Sequence, residues 1–232
     1  MSWLVPSITA TMVGTAILAA CYLYVYSLDR QPYLKVWAIS WAVYFIRYAL
    51  LLVMPARQKS PFLLIGNQLA CLLSGILLLY GSYLFIGKKF PRIFLYLSVP
   101  GALWIFISIL NRYSFLAMSL PTFGFLAYIY IWTGVIFIKA FPSEKKEAAV
   151  VGAGFIVWGI HKAGYPFLQP VVWFAPGVSF SAFIEFVVAL GLLLVYFRKP
   201  GMIYRPAMKN SGRPFLQARI PSTSTDSRME GI

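Results

Sequence analysis

The stretch FLLIGNQLACLLSGILLLYGSYLFI, residues 62–86, decides the fold, because it runs for 25 residues without a charge or a proline. At 1.5 Å per residue, a helix of about 20 residues crosses a hydrocarbon core of about 30 Å. A membrane β-barrel would instead show segments of about ten residues alternating in polarity. This run is continuous and more than twice that long, so it predicts a transmembrane α-helix.

Working outward, apolar runs between charged or Pro-rich breaks predict six more spans: Pro6–Tyr26, Leu34–Met54, Phe94–Leu110, Phe115–Ile138, Ala148–Tyr165 and Val172–Phe197. The fold class is therefore all-α, a polytopic membrane protein built as a bundle of seven transmembrane helices. Composition agrees: 60% of the residues are hydrophobic and 11% charged, against about 25% charged in soluble domains. Residues 1–199 form the transmembrane domain. Residues 200–232, with Pro200, Pro206, Pro214 and Pro221 among Ser, Thr and basic residues, predict a disordered tail.

The net charge of +14 reports topology rather than nucleic-acid binding, since the basic residues gather in alternate connectors and in the tail. One side collects Arg30, Lys35, Lys88, Lys89, Arg92, Lys139, Lys145, Lys146 and seven tail residues. The other holds Arg57, Lys59, Arg112 and Lys162. Fifteen against four predicts a cytoplasmic C-terminus and an outer N-terminus. A reporter active only in the cytoplasm should therefore work when fused after Lys199 or within Ser143–Glu147 and fail after Lys59; the reverse pattern would overturn the orientation. No basic residue precedes the first run, so that run is expected to stay as a helix rather than be removed as a signal peptide.

Ionisable groups inside hydrocarbon cost about 2.5–3.5 kcal/mol each on insertion scales, so each needs a reason. Three are candidates for such a role, Arg47, His161 and Glu185, with Lys35 and Lys162 near span ends counted among the connectors. Arg47 lies about 10 Å below the outer end of the second span, and Asn67 and Gln68 about 8–9 Å below the same surface in the third. His161 sits near the outer end of the sixth. Glu185, about 20 Å down if its span begins at Val172, is the carboxylate beneath them. Arg47, Asn67, Gln68, His161 and Glu185 are thus the candidate ligand-binding residues, with Arg47 and Glu185 a candidate pair joined directly or through a bound ligand. The competing reading is structural, with Arg47 snorkelling outward, His161 bonded to a carbonyl and the amides acting as interhelical glue.

Cys21 and Cys71 both lie inside apolar runs, and one histidine without a Cys-x-x-Cys leaves no zinc set. No phosphate loop, nucleophile elbow or His-Glu-x-x-His occurs, so neither catalysis, a metal nor a cofactor is expected. Retinal chemistry is disfavoured because the last span has no lysine for a Schiff base. Ser74, Gly75, Gly81, Gly152 and Gly154 are candidates for close helix contact. Pro100-Gly101 and Pro121 are candidate kinks. Trp3, Trp104, Tyr113 and Trp173 read as interfacial or packing residues.

Trp158-Gly-Ile-His-Lys-Ala-Gly-Tyr-Pro-Phe-Leu-Gln-Pro, Trp173-Phe-Ala-Pro-Gly and the helix of Glu185 through Tyr196-Phe-Arg-Lys resemble the last third of the seven-helix N-terminal sensor modules of bacterial histidine kinases and related signalling proteins. Asn67 through Ser74-Gly75 to Gly87-Lys-Lys-Phe-Pro extends the resemblance over approximately Pro6 to Lys199. The resemblance implies a sensory module in the bacterial inner membrane that detects a ligand or membrane signal in its outer half and transmits it through the last helix. Its implied partners are the lipid bilayer, a small-molecule ligand, a cytoplasmic histidine kinase or cyclase output module and a second copy in a homodimer, with no nucleic acid. In such proteins the last helix continues into the output module, whereas here it meets Pro200-Gly201. The alternatives are a small solute transporter and a non-catalytic subunit of a membrane complex.

Overall fold

A computed structural model of the chain describes residues 3–54, 60–141, 145–168 and 174–198. Seven α-helices and no strand occur among them. They are α1 (Leu4–Asp29), α2 (Pro32–Val53), α3 (Pro61–Ile86), α4 (Ile93–Leu110), α5 (Phe115–Ala140), α6 (Lys145–Leu168) and α7 (Phe174–Arg198). Six of the seven, all but α6, are long and apolar enough to cross a membrane. α6 is less apolar because it carries Lys146 and Glu147 at its start and His161 and Lys162 further on.

The breaks follow local chemistry. Pro32 and Pro61 open α2 and α3, where a missing N–H costs no helical bond. Gly87, at φ 76°, closes α3 in the left-handed conformation that glycine adopts without steric cost. Ser114 caps α5 by accepting a hydrogen bond from the Ala117 amide. Pro100, Pro121 and Pro166 all lie inside helices that continue past them. α6 thereby runs on to Leu168 rather than stopping near Tyr165.

Contacts fix the helix directions. Tyr22 Oη donates to the Ala189 carbonyl at 2.7 Å, Ser179 Oγ to Ser7 Oγ at 3.1 Å, and Tyr196 Oη to Asp29 Oδ2 at 3.1 Å. Positions rise together on both helices, so α1 and α7 are parallel. Between α2 and α3 the order reverses, with Ser40 donating to the Ser74 carbonyl and Trp37 lying against Gly81. α5 and α6 are likewise antiparallel, through Gly134 with Gly152 and Phe123 with Tyr165. The same holds for α6 and α7, through Gly154 with Val188 and Lys162 with Ser181. The helices therefore alternate in direction. α1, α2, α3, α5, α6 and α7 close a ring, and α4 packs outside it on α3 and α5, which explains why α4 is the least buried span.

Small residues set the tightest approaches. A Cβ added to Gly159 would come within 2.8 Å of the Ala127 carbonyl, and one on Gly81 within 2.6 Å of Trp37 Cδ1, so neither site accepts a larger residue without a shift. Of the residues expected at close contacts, Gly75, Gly81 and Gly152 show this crowding; at Gly154 an added Cβ would stand 3.2 Å from Val188 Cγ2, which would have to give way slightly. The interior is aromatic. Trp158 stacks on Tyr130 at 4.1 Å and on Trp41 at 6.2 Å between centroids.

Arg30, Lys35, Lys88, Lys89, Arg92, Lys139 and Arg198 gather at the end where α1 and α7 finish, while Arg112 is at the opposite end. Arg57, Lys59, Val172, Trp173 and the tail after Arg198 lie outside the described residues.

Candidate functional site

Three inward faces meet at the centre of the ring. α2 supplies Trp41, Tyr44, Arg47 and Tyr48, α6 supplies Trp158, Lys162 and Tyr165, and α7 supplies Ser181, Glu185 and Val188. The spacings of three, four and seven residues place each set on one side of its helix.

Lys162, counted above among the charges of the outer connectors, is instead 1% exposed within α6. Its Nζ donates to Tyr44 Oη at 2.8 Å and to Ser181 Oγ at 3.0 Å, and stands 3.7 Å from Glu185 Oε1. Ser181 Oγ in turn donates to Glu185 Oε1 at 2.8 Å, and Tyr48 Oη donates to the same oxygen at 3.2 Å. The direct partner of Glu185 is therefore Lys162, and Arg47 makes no direct ion pair with it among the described residues. The cause is register: the helix persists through Ala163-Gly164-Tyr165-Pro166, so Lys162 falls four residues after Trp158 on the buried face, where its stem and charge are enclosed.

Arg47, 3% exposed, has a different environment. Its Cζ lies over the rings of Tyr44 and Tyr48 at 5.1 and 4.9 Å from their centroids. Such cation–π contacts stabilise a desolvated cation. Nε and Nη1 have no hydrogen-bond partner among the described residues, and no carboxylate there pairs with the guanidinium.

On the other side of Arg47 lies a cavity of about 800 Å³ between α2, α3, α4, α5 and α6. Gln68, 2% exposed, and Asn67 line it, and their side-chain oxygens Oε1 and Oδ1 are also unpaired. Ser108, Ile109, Met118, Phe123 and Tyr165 are the other buried residues of its wall. Met54, Pro61, Arg112 and Tyr113 lie toward the end of the bundle where α2 and α4 stop and α3 and α5 begin, so the cavity reaches that end. Arg112 is held there in the left-handed conformation, φ 55°, by the turn that closes α4, in which the Tyr113 amide donates to the Ser108 carbonyl at 2.9 Å.

Three of the five expected residues, Arg47, Asn67 and Gln68, thus share one cavity. Glu185 does not line it and is two residues removed, bonded to Tyr48, whose ring lies against Arg47. His161 is apart: its ring packs edge-on against Phe180 of α7 at 5.3 Å, and its Nε2 has no hydrogen-bond partner. The residues that sequence reasoning missed are Lys162, Tyr44, Tyr48, Ser181 and Tyr165. The spacing Trp158, Lys162, Tyr165 carried a signal for two of them.

The buried ions leave an imbalance. At their formal charges Arg47 and Lys162 bring two positive charges and Glu185 one negative, and with Lys162 beside Glu185 the excess cation is Arg47 at the cavity wall. A hydrogen-bonded path leads from Tyr48, beneath that guanidinium, to Glu185 at the middle of α7 and, through Ser181, to Lys162 in the last third of α6. Among the described residues no group of three or more His, Cys, Asp or Glu could hold a metal ion. Compared with known protein families, curated proteins and solved structures, the chain matches none.

Proposed function

We propose that the chain is a membrane-embedded receptor module, in which occupancy of the cavity shifts α7 and so carries a signal to a cytoplasmic output. The observation that supports this most is the position of Tyr48: its ring lies under Arg47 at the cavity wall, and its hydroxyl donates to Glu185 on α7. A change at Arg47 alters the packing of that ring and, with it, the anchoring of α7. At its far end α7 is tied to α1 through Tyr196 and Asp29, which gives the shift a second contact to rearrange. The resemblance to histidine-kinase sensor modules fits, because its residues Trp158, Lys162 and Tyr165 are those that α6 contributes to the centre. On this reading the protein is non-catalytic, the basic end faces the cytoplasm of a bacterial inner membrane, and residues 200–232 form a separate tail.

A receptor needs two arrangements whose balance the site biases. With spin labels on the exposed Leu28 of α1 and Phe197 of α7, in a Cys21→Ser, Cys71→Ala background, the distance distribution should shift on Arg47→Leu and again on Glu185→Gln. A single distribution unmoved by either change would sink the proposal. The charge pair halfway along α7 also suits a transporter, and solute uptake into vesicles that depends on Glu185 would favour that function instead.

A further inference from the structure

We infer that the cavity binds a single-chain amphiphilic carboxylic acid, its carboxylate on Arg47, an adjacent hydroxyl or amide N–H on Asn67 and Gln68, and its chain along the apolar wall. This names the ligand class of the receptor site proposed above and rests on that reading for its consequence, though not for the binding itself.

Charge sets the head group. A buried cation without a counter-ion is costly, and a guanidinium with free N–H donors is matched by a carboxylate that accepts a charge-assisted hydrogen bond from one of them. Nε and Nη1 of Arg47 are the two free donors. Among the described residues no carboxylate lines the cavity, while a second guanidinium, that of Arg112, stands toward its mouth, where it would raise the local concentration of anions. A cationic or neutral ligand would leave the excess charge uncompensated.

The neighbouring group follows from the amides. Asn67 Oδ1 and Gln68 Oε1 are buried acceptors without donors, and a bare carboxylate beside them would meet two like dipoles. A hydroxyl or N–H next to the carboxylate supplies what they lack. If an amide is turned, its NH₂ serves the carboxylate and the other oxygen still takes the donor.

Size and lining set the chain. About 800 Å³ lies in the range of small-ligand pockets, about 300–1,000 Å³. The wall from Arg47 toward the mouth passes Leu51, Leu64 and Met54, which suits one acyl chain rather than the two of a phospholipid.

The test is saturation binding of tritiated 3-hydroxydecanoate to the full chain in phosphatidylcholine nanodiscs, with empty nanodiscs subtracted. Saturable binding is expected, weakened at least about tenfold by Arg47→Gln. Decanol and decyltrimethylammonium should fail to compete, and decanoate should compete less well than the hydroxy acid. Leu64→Trp, which leaves every polar group in place, should also weaken binding by obstructing the chain. Thermal unfolding of each variant guards against loss of fold. Equal competition by decyltrimethylammonium, or unchanged binding in both Arg47→Gln and Leu64→Trp, would overturn the assignment. So would displacement by phosphatidylglycerol added to the bilayer, since the occupant would then be a lipid head group. Saturable binding that leaves the Leu28–Phe197 distances unmoved would remove the receptor function and keep the ligand. Distances that move with Arg47→Leu in a protein that binds no acid would do the opposite.

Discussion

Glu185→Leu should destabilise the bundle by about 5 kcal/mol, Lys162→Met by about 3 kcal/mol, and the double variant by clearly less than their sum. Both residues are 1% exposed and lie 3.7 Å apart, so removing either leaves its partner in a medium that cannot solvate it. The asymmetry comes from the third ion. Without Lys162, the interior still holds Arg47 and Glu185 and is neutral, and Glu185 keeps the hydroxyls of Tyr48 and Ser181. Without Glu185, two cations remain with no anion among the described residues, and Lys162 retains only Tyr44 and Ser181 as acceptors. Unfolding of the four proteins by sodium dodecyl sulfate titration closes the cycle. Additive losses, or a greater loss for Lys162→Met, would mean that the pair is not coupled or that the charge balance is other than described.

The spans were legible because hydrocarbon forces each segment to satisfy its own backbone and to be long enough to cross, so apolar length alone predicts them. The span expected at Phe62–Ile86 is observed as Pro61–Ile86, and that expected at Phe94–Leu110 as Ile93–Leu110. Which way a side chain faces was not legible in the same way. These helices are apolar nearly all round, so little periodic pattern distinguishes the interior from the lipid. A charged residue near a helix end then has two readings, and Lys162, three residues before the expected end at Tyr165, was counted with the connector, whereas α6 continues to Leu168 and packs on α5 through Gly159 and through Tyr165, which stacks on Phe123 at 4.5 Å. Lys162 is buried as a consequence. The polar layer was legible for Arg47, Asn67 and Gln68, since all three have to be accommodated at one depth. The tyrosines joining that layer to Glu185 were not, because a tyrosine in an apolar run is unremarkable until its hydroxyl has a partner. Taking Lys162 into the bundle leaves Arg57, Lys59 and Arg112 against the basic side, which strengthens the asymmetry from which the orientation is expected.

Tyr48→Phe should separate binding from response. The substitution keeps the ring that lies 4.9 Å from Arg47 Cζ and removes only the hydroxyl that donates to Glu185 at 3.2 Å. The cation–π contact is retained, so 3-hydroxydecanoate affinity should stay within about threefold of the unmodified chain. A hydrogen bond to a charged acceptor contributes about 1.5–3 kcal/mol, so some stability is lost. The larger effect falls on coupling, where links between sites are commonly about 1–3 kcal/mol. In the Tyr48→Phe background, the shift in Leu28–Phe197 distance caused by Arg47→Leu should disappear, while the shift caused by Glu185→Gln persists, because that change acts on α7 itself. Tyr44→Phe is the control. Tyr44 shares the cation–π contact with Arg47, but its hydroxyl accepts from Lys162 and does not reach α7 directly, so its removal should lower stability and leave the Arg47 effect in place. If Tyr48→Phe preserved the Arg47 effect, or Tyr44→Phe abolished it equally, the path through Tyr48 to Glu185 would be packing and not transmission.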